Sequence, residues 1–131
     1  MKYRLWDIRN KKFLEDDWET EYAVRKNGLV IEIYDKGFGE GQIVYDLENI
    51  IISQPTGLMD SQGYELYEDD IVWNEYDEEY QVVIYDEGEY KLMGESHMQS
   101  LYNNLDYIDI RGNIYEKFEL VKEWYESDYN G

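Results

Sequence analysis

Thr56-Gly57-Leu58-Met59-Asp60-Ser61-Gln62-Gly63-Tyr64-Glu65-Leu66-Tyr67-Glu68-Asp69-Asp70-Ile71-Val72 holds a turn, two strand-like runs and an acidic bend in seventeen consecutive residues. Asp60-Ser61-Gln62-Gly63 reads as the turn, because an aspartate carboxylate accepts from nearby backbone and a glycine supplies positive φ. Tyr64 to Tyr67 and Ile71 to Asn74 read as strands, with Leu66 and the Ile71-Val72 pair supplying apolar residues on either side of Glu68-Asp69-Asp70.

The same alternation of short apolar runs and turn residues extends in both directions. Upstream, Tyr3 to Trp6 and Lys12 to Leu14 form an opening pair around Arg9-Asn10-Lys11. Glu21 to Lys26 and Leu29 to Tyr34 flank Asn27-Gly28, a strong hairpin signal. Gln42 to Tyr45 and Ile50 to Ser53 are two further strands, and Pro55 reads as a break after them. Downstream, Tyr80 to Tyr85 and Glu89 to Met93 flank Glu87-Gly88, and Asp106 to Ile110 completes the set. Glu15 to Tyr22 is ambiguous between helix and strand. The chain is therefore expected to be mainly β.

Two segments carry helical spacing. Met98, Leu101, Tyr102 and Leu105 recur at i, i+3, i+4 and i+7, and Ser96 with Gln99 fits a capping box. Phe118, Val121, Trp124 and Tyr125 make a similar C-terminal stripe. One or two short helices, one of them C-terminal, are expected at the margins of the sheet.

The 131 residues suit one domain, 1–131. Apolar residues make up 43% and aromatics 17%, enough for a packed core. The absence of cysteine removes disulfides and thiolate chemistry and suits a reducing cytoplasm. His97, the only histidine, removes sites that need two imidazoles. No apolar run approaches the ~18 residues of a membrane span, and the N-terminus has no apolar signal core. A cytoplasmic location in a bacterial host is expected.

Charge is the unusual quantity, with 12 basic and 31 acidic residues giving a net charge of −19. Residues 37–90 hold fifteen acids and no base. Counterion release on nucleic acid needs clustered lysine and arginine, so direct nucleic-acid binding is disfavoured, as is an anionic membrane. Basic proteins or cations are the complementary partners.

Three stretches together resemble the YopX family of phage and prophage proteins. They are Arg4-Leu5-Trp6-Asp7 with Lys11-Lys12, the Thr56–Val72 stretch, and Arg111-Gly112-Asn113-Ile114-Tyr115-Glu116. The family form of the second is T-G-L-x-D-x-x-G-x-x-I-Y-E-G-D-I-V, and of the third G-N-I-Y-E-N-P-E-L. The middle motif is the specific one, and order and spacing cover Arg4 to Leu120. The resemblance implies an SH3-like or partly open barrel sheet with small helices, and a phage or prophage context rather than a particular chemistry. On the matching positions, Trp6, Asp7, Thr56, Gly57, Asp60, Gly63, Tyr67, Glu68, Asp70, Gly112, Asn113 and Tyr115 are expected to be structural. Two departures matter. Asp69 stands where the family has glycine, which implies a changed turn or mild backbone strain. Lys117-Phe118 replaces Asn-Pro at the start of the last helix and removes a good N-cap, worth ~1 kcal/mol.

No residue set reads as catalytic, cofactor-binding or metal-binding. The clusters Asp16-Asp17, Glu68-Asp69-Asp70 and Asp77-Glu78-Glu79 contain the paired carboxylates that hard cations or glycosidases use. Yet Gln62 and Tyr64 occupy positions where a calcium loop starting at Asp60 wants acids. In so acidic a chain these clusters read as solvated loops. Gly37-Phe38-Gly39-Glu40-Gly41 lacks the lysine and following helix of a phosphate loop and reads as a turn. His97, near Ser96 and Ser100, has no spaced aspartate pattern for a triad and reads as a surface or capping histidine. Trp6, Trp18, Trp73 and Trp124 read mainly as core. Fifteen tyrosines exceed what such a core can hide, and exposed tyrosines among acids fit a protein interface.

The expectation is thus a non-enzymatic accessory protein acting by protein–protein contact or self-association, with Glu68, Asp69, Asp70, Asp77, Glu78 and Glu79 as candidate interaction surface and no cofactor. One alternative is mimicry of nucleic acid toward a basic host protein. A domain of this size is roughly 36 Å across, and duplex DNA of that length carries on the order of 20 charges. Acids on one face would be required, and Tyr64-Glu65-Leu66-Tyr67-Glu68 does not alternate as a regular negative row would. A metal-dependent hydrolase on the acidic clusters is the other alternative.

Overall fold

Strands dominate the computed structural model, which describes residues 3–16, 20–24, 30–34, 41–45 and 47–126. The chain divides into two compact units, Lys2–Ser53 and Gln54–Gly131.

In the first unit, β1 (Arg4–Asp7) lies between β2 (Lys12–Phe13) and β6 (Ile50–Ser53) in an antiparallel sheet. A second antiparallel sheet joins β3 (Thr20–Val24), β4 (Val30–Tyr34) and β5 (Gly41–Tyr45). β3 and β4 pair as the hairpin reading requires, with Val24 opposite Val30. The Asn27-Gly28 turn itself, Asp17, Trp18 and residues 37–40 lie outside the described residues. Leu5, Leu14, Val30 and Ile50 form this unit's core.

The second unit is built on a five-stranded antiparallel sheet of β9 (Asp70–Asn74), β10 (Glu79–Asp86), β11 (Glu89–Met93), β12 (Met98–Ser100) and β13 (Ile108–Asn113), ordered β12-β11-β10-β9-β13. β7 (Pro55–Met59) and β8 (Glu65–Tyr67) form a separate ribbon. Successive strand residues face opposite sides, and here both sides are covered. Val72 and Val83 join Leu66, Leu92, Leu101 and Ile108 in one cluster, whereas Ile71 and Val82 join Ile114 and Val121 in another. That double coverage explains why Ile71-Val72 is a continuous apolar pair rather than an alternating one.

Among the described residues each of the eleven strands expected from the sequence has a counterpart, the last of them shifted to Ile108–Asn113 and so ending three residues later than expected, and two more appear. Pro55 begins β7 rather than breaking the chain, because the first residue of a strand tolerates the missing N–H. β12 takes the start of the expected 96–105 helix. Leu101 is buried and Leu105 packs against the core, but Met98 and Tyr102 are exposed, so the helical stripe never forms a face. Gln99 does not cap a helix; its amide turns to Asp77 instead.

Among the described residues the helical elements are short 3₁₀ turns, at Leu47–Asn49, Tyr102–Tyr107 and Phe118–Leu120. At the last of these Lys117 makes no side-chain cap bond, and Val121 leaves helical geometry at φ −130°, ψ 0°. The C-terminal helix is thereby reduced to one turn, in keeping with the lost Asn-Pro start. Each sheet is open, and no closed barrel forms among the described residues. Among them, too, no helix is long and apolar enough to cross a membrane.

Candidate functional site

The motif residues prove to be occupied by backbone geometry. Asp60 is buried, and its Oδ1 accepts from the N–H groups of Gln62 and Tyr64, each at 2.9 Å. Its Oδ2 accepts from the N–H of Ile110 in β13 at 3.0 Å, so one carboxylate ties the turn to the sheet edge. Gly63 follows at φ 87° and Gly57 stands at φ 79°, the left-handed region glycine occupies freely. Thr56 Oγ1 donates to the Leu66 carbonyl at 2.8 Å and accepts from the Leu58 N–H at 3.1 Å.

Glu68-Asp69-Asp70 is a tight β8–β9 bend. Asp70 is buried, and its Oδ2 accepts from the Tyr67 N–H at 2.9 Å. Asp69 adopts φ 74°, so the turn expected for glycine is kept with an aspartate in it. Asparagine and aspartate are the non-glycine residues most often found there. Asp69 is also held: its N–H donates to Val83, its carbonyl accepts from Ile114, and its carboxylate accepts from the Tyr115 hydroxyl. Burial, and then the neighbouring Asp69 carboxylate, push the Glu68 pKa above its ordinary value.

The third motif stretch turns on Asn113, whose Oδ1 accepts from the Tyr115 and Glu116 N–H groups at 3.0 and 2.9 Å. Gly112 sits at the register shift between Ile110 and Gly112, where a Cβ would lie 2.6 Å from Lys117 Cγ. In the first unit, Asp7 Oδ1 accepts from the Arg9 and Asn10 N–H groups, and buried Trp6 meets Phe13 edge-on at 4.8 Å. The second and third stretches, far apart in sequence, thus meet where Asp69 bonds Ile114 and Tyr115, with Asp60 holding Ile110 just before the third.

The six acids offered as one interaction surface do not lie together. Glu68, Asp69 and Asp70 stand at one end of β9, whereas Asp77, Glu78 and Glu79 follow its other end. Asp77 and Glu79 belong to a polar cluster that the sequence did not reveal. The Asn74 and Gln81 side chains are wholly buried. Asn74 Nδ2 donates to Gln81 Oε1 at 2.9 Å, and this fixes the Gln81 amide. Gln81 Nε2 then donates to both Asp77 Oδ2, at 2.9 Å, and Glu79 Oε1, at 2.8 Å. Gln99 Nε2 reaches the same Asp77 oxygen at 2.5 Å, and His97 Nε2 stands 3.7 Å from it. Desolvation opposes ionisation of Asp77, but the Gln81 and Gln99 amides and the His97 ring together outweigh it and lower its pKa. Nothing in the alternation of β10 marks Gln81 as buried; only the pairing of its neighbours does.

The tyrosines divide as expected between packed and exposed. Tyr76 is 77% exposed and Tyr107 46%, with ring centroids 5.6 Å apart. The Glu75 N–H donates to the Tyr107 carbonyl at 2.8 Å and holds the two segments together. Glu75 and Asp106, each beside one of these tyrosines in sequence, are exposed as well. Tyr64, Tyr85 and Tyr102 are exposed elsewhere on this unit. Trp73 is half-buried, edge-on to Tyr80 at 5.0 Å, with the Arg111 guanidinium 6.0 Å from its ring. Trp124 packs against the Ile114–Val121 cluster.

Comparison with known proteins bears directly on the motif arrangement. The sequence pattern of the family described as YopX protein matches residues 2–122. The chain belongs to the YopX family. Two solved structures share its fold. Protein yopX from Bacillus subtilis has 17% identity and a TM-score of 0.62, covering 91% of this chain and 96% of its own. Protein EF1440 from Enterococcus faecalis has 22% identity and a TM-score of 0.62, covering 92% and 96%. No curated protein sequence matches. At these identities the likeness speaks for the YopX fold alone. Within that fold, the residues that carry the family motif are the ones that tie turns to strands here.

Proposed function

We propose that this YopX-family chain is a phage or prophage accessory protein that acts by contact with a basic protein partner. The observation that carries this reading is the exposed Tyr76–Tyr107 pair with Glu75 and Asp106 beside it in sequence. Tyrosine supplies contact area at low entropic cost, and adjacent carboxylates and ring faces both attract arginine and lysine. The fifteen acids of residues 37–90, unrelieved by any base, favour the same kind of partner and would speed its approach. The motif carboxylates Asp60 and Asp70 are turned to internal backbone and leave this role to the surface.

Mimicry of nucleic acid is the second reading. It rests on the net charge of −19, comparable with the on the order of 20 charges of duplex DNA of similar length. A tagged pull-down from bacterial lysate, washed with rising salt and read by mass spectrometry, tests both. A basic protein that leaves as salt rises is the expected result. Competition of that protein by duplex DNA would favour mimicry. Recovery of the bait alone would contradict the partner reading and point to self-association.

A further inference from the structure

We propose that Asp77, Glu79 and His97 form a binding site for a divalent transition-metal ion of the zinc type. One carboxylate oxygen from each acid and one His97 ring nitrogen lie within 4.8 Å of one another. The three come from two segments far apart in sequence: the β9–β10 turn and start of β10, and the turn that precedes β12. His97 is the only histidine in the chain.

The set is somewhat wider than one bound ion would hold it, with separations of up to 4.8 Å. His97 Nε2 and Asp77 Oδ2 are 3.7 Å apart, beyond hydrogen-bond length. Two ligand atoms about 2.1 Å from a tetrahedral zinc ion stand about 3.4 Å from each other. Binding would draw the half-exposed imidazole and the two carboxylates together to that separation.

The surrounding residues prepare the acids for a cation. The buried Gln81 amide holds one oxygen of Asp77 and one of Glu79 side by side, bringing two like charges together. Gly94 makes room for the arrangement: a Cβ at this position would lie 2.2 Å from Glu79 Oε1. The Gly94 N–H donates to the His97 carbonyl at 2.8 Å, so the same glycine shapes the turn that presents the imidazole.

The donor set selects the ion. Magnesium and calcium prefer shells made of oxygen, whereas one imidazole with two carboxylates suits zinc and its neighbours. Three protein ligands leave a fourth position for water or for a side chain of another molecule.

Titration of the full chain with Zn2+ by isothermal calorimetry, at physiological ionic strength and with excess Mg2+ to occupy diffuse acidic surface, tests the site. One equivalent of Zn2+ is expected to bind in the presence of Mg2+. His97→Ala, an exposed position, should weaken this binding at least about tenfold while the circular dichroism spectrum stays unchanged. Gly94→Ala should weaken it too, by forcing the flexible Glu79 carboxylate aside. Zn2+ binding that Mg2+ abolishes, or that is equally tight in His97→Ala, would overturn the proposal.

Discussion

Asp60 shows how much of the family motif is backbone engineering rather than chemistry. One buried carboxylate serves the N–H groups of Gln62, Tyr64 and Ile110. Asp60→Ala leaves those donors without their acceptor, and buried donors so stranded cost about 1–3 kcal/mol each before water re-enters. We expect a loss of about 3 kcal/mol in urea unfolding. Glu68 behaves in the opposite sense. Its raised pKa, caused by burial and then by Asp69, means that the folded chain holds this proton more tightly than the unfolded chain. The group leaves stability unchanged below the unfolded pKa and lowers it as pH rises through the folded value. Glu68→Gln should therefore raise the Tm at about pH 7 and leave it unchanged at about pH 3. Equal shifts at both pH values would refute the assignment. The turn at Asp60 was legible in the sequence because turn chemistry is local, and the glycine-like position of Asp69 was legible through the resemblance to the family motif. The Gln81 cluster was not, because a glutamine inside a strand looks the same whether its amide meets water or Asp77.

Strands were legible where turn residues bracket them. Glu87-Gly88 forms the two-residue turn between β10 and β11 with both φ values positive, 51° and 84°, as a tight hairpin requires. Helices were not legible, for two separable reasons. At 98–100 the open edge of β11 offers backbone partners, and the chain takes them in preference to a helix that would have left Met98 and Tyr102 exposed. At 118–120 the apolar stripe is real, but without a cap it supports one 3₁₀ turn. The stripe still covers the sheet: Val121 is 1% exposed among Ile71, Val82 and Ile114. Val121→Ala removes two buried methyl groups at about 0.8 kcal/mol each, with a cavity penalty added. A loss of about 2 kcal/mol in chemical unfolding is expected; a loss near zero would mean that this segment does not hold the sheet.

For the whole molecule, charge is the governing quantity. A net −19 on 131 residues repels itself, so the Tm should rise as sodium chloride is added and the repulsion is screened. A Tm that is flat or falls with salt would show that local ion pairs outweigh the general repulsion. The same excess of acid, with tyrosines left on the surface, supports the proposed contact with a basic partner. The most direct measurement is the amount of the salt-sensitive partner captured by wild type and by the double variant Tyr76→Ser, Tyr107→Ser, with the Tm of each. We predict that the double variant keeps a Tm within a few degrees of wild type and captures at least about tenfold less partner, in line with the cost of losing a central aromatic contact. Undiminished capture by a folded double variant would contradict the account.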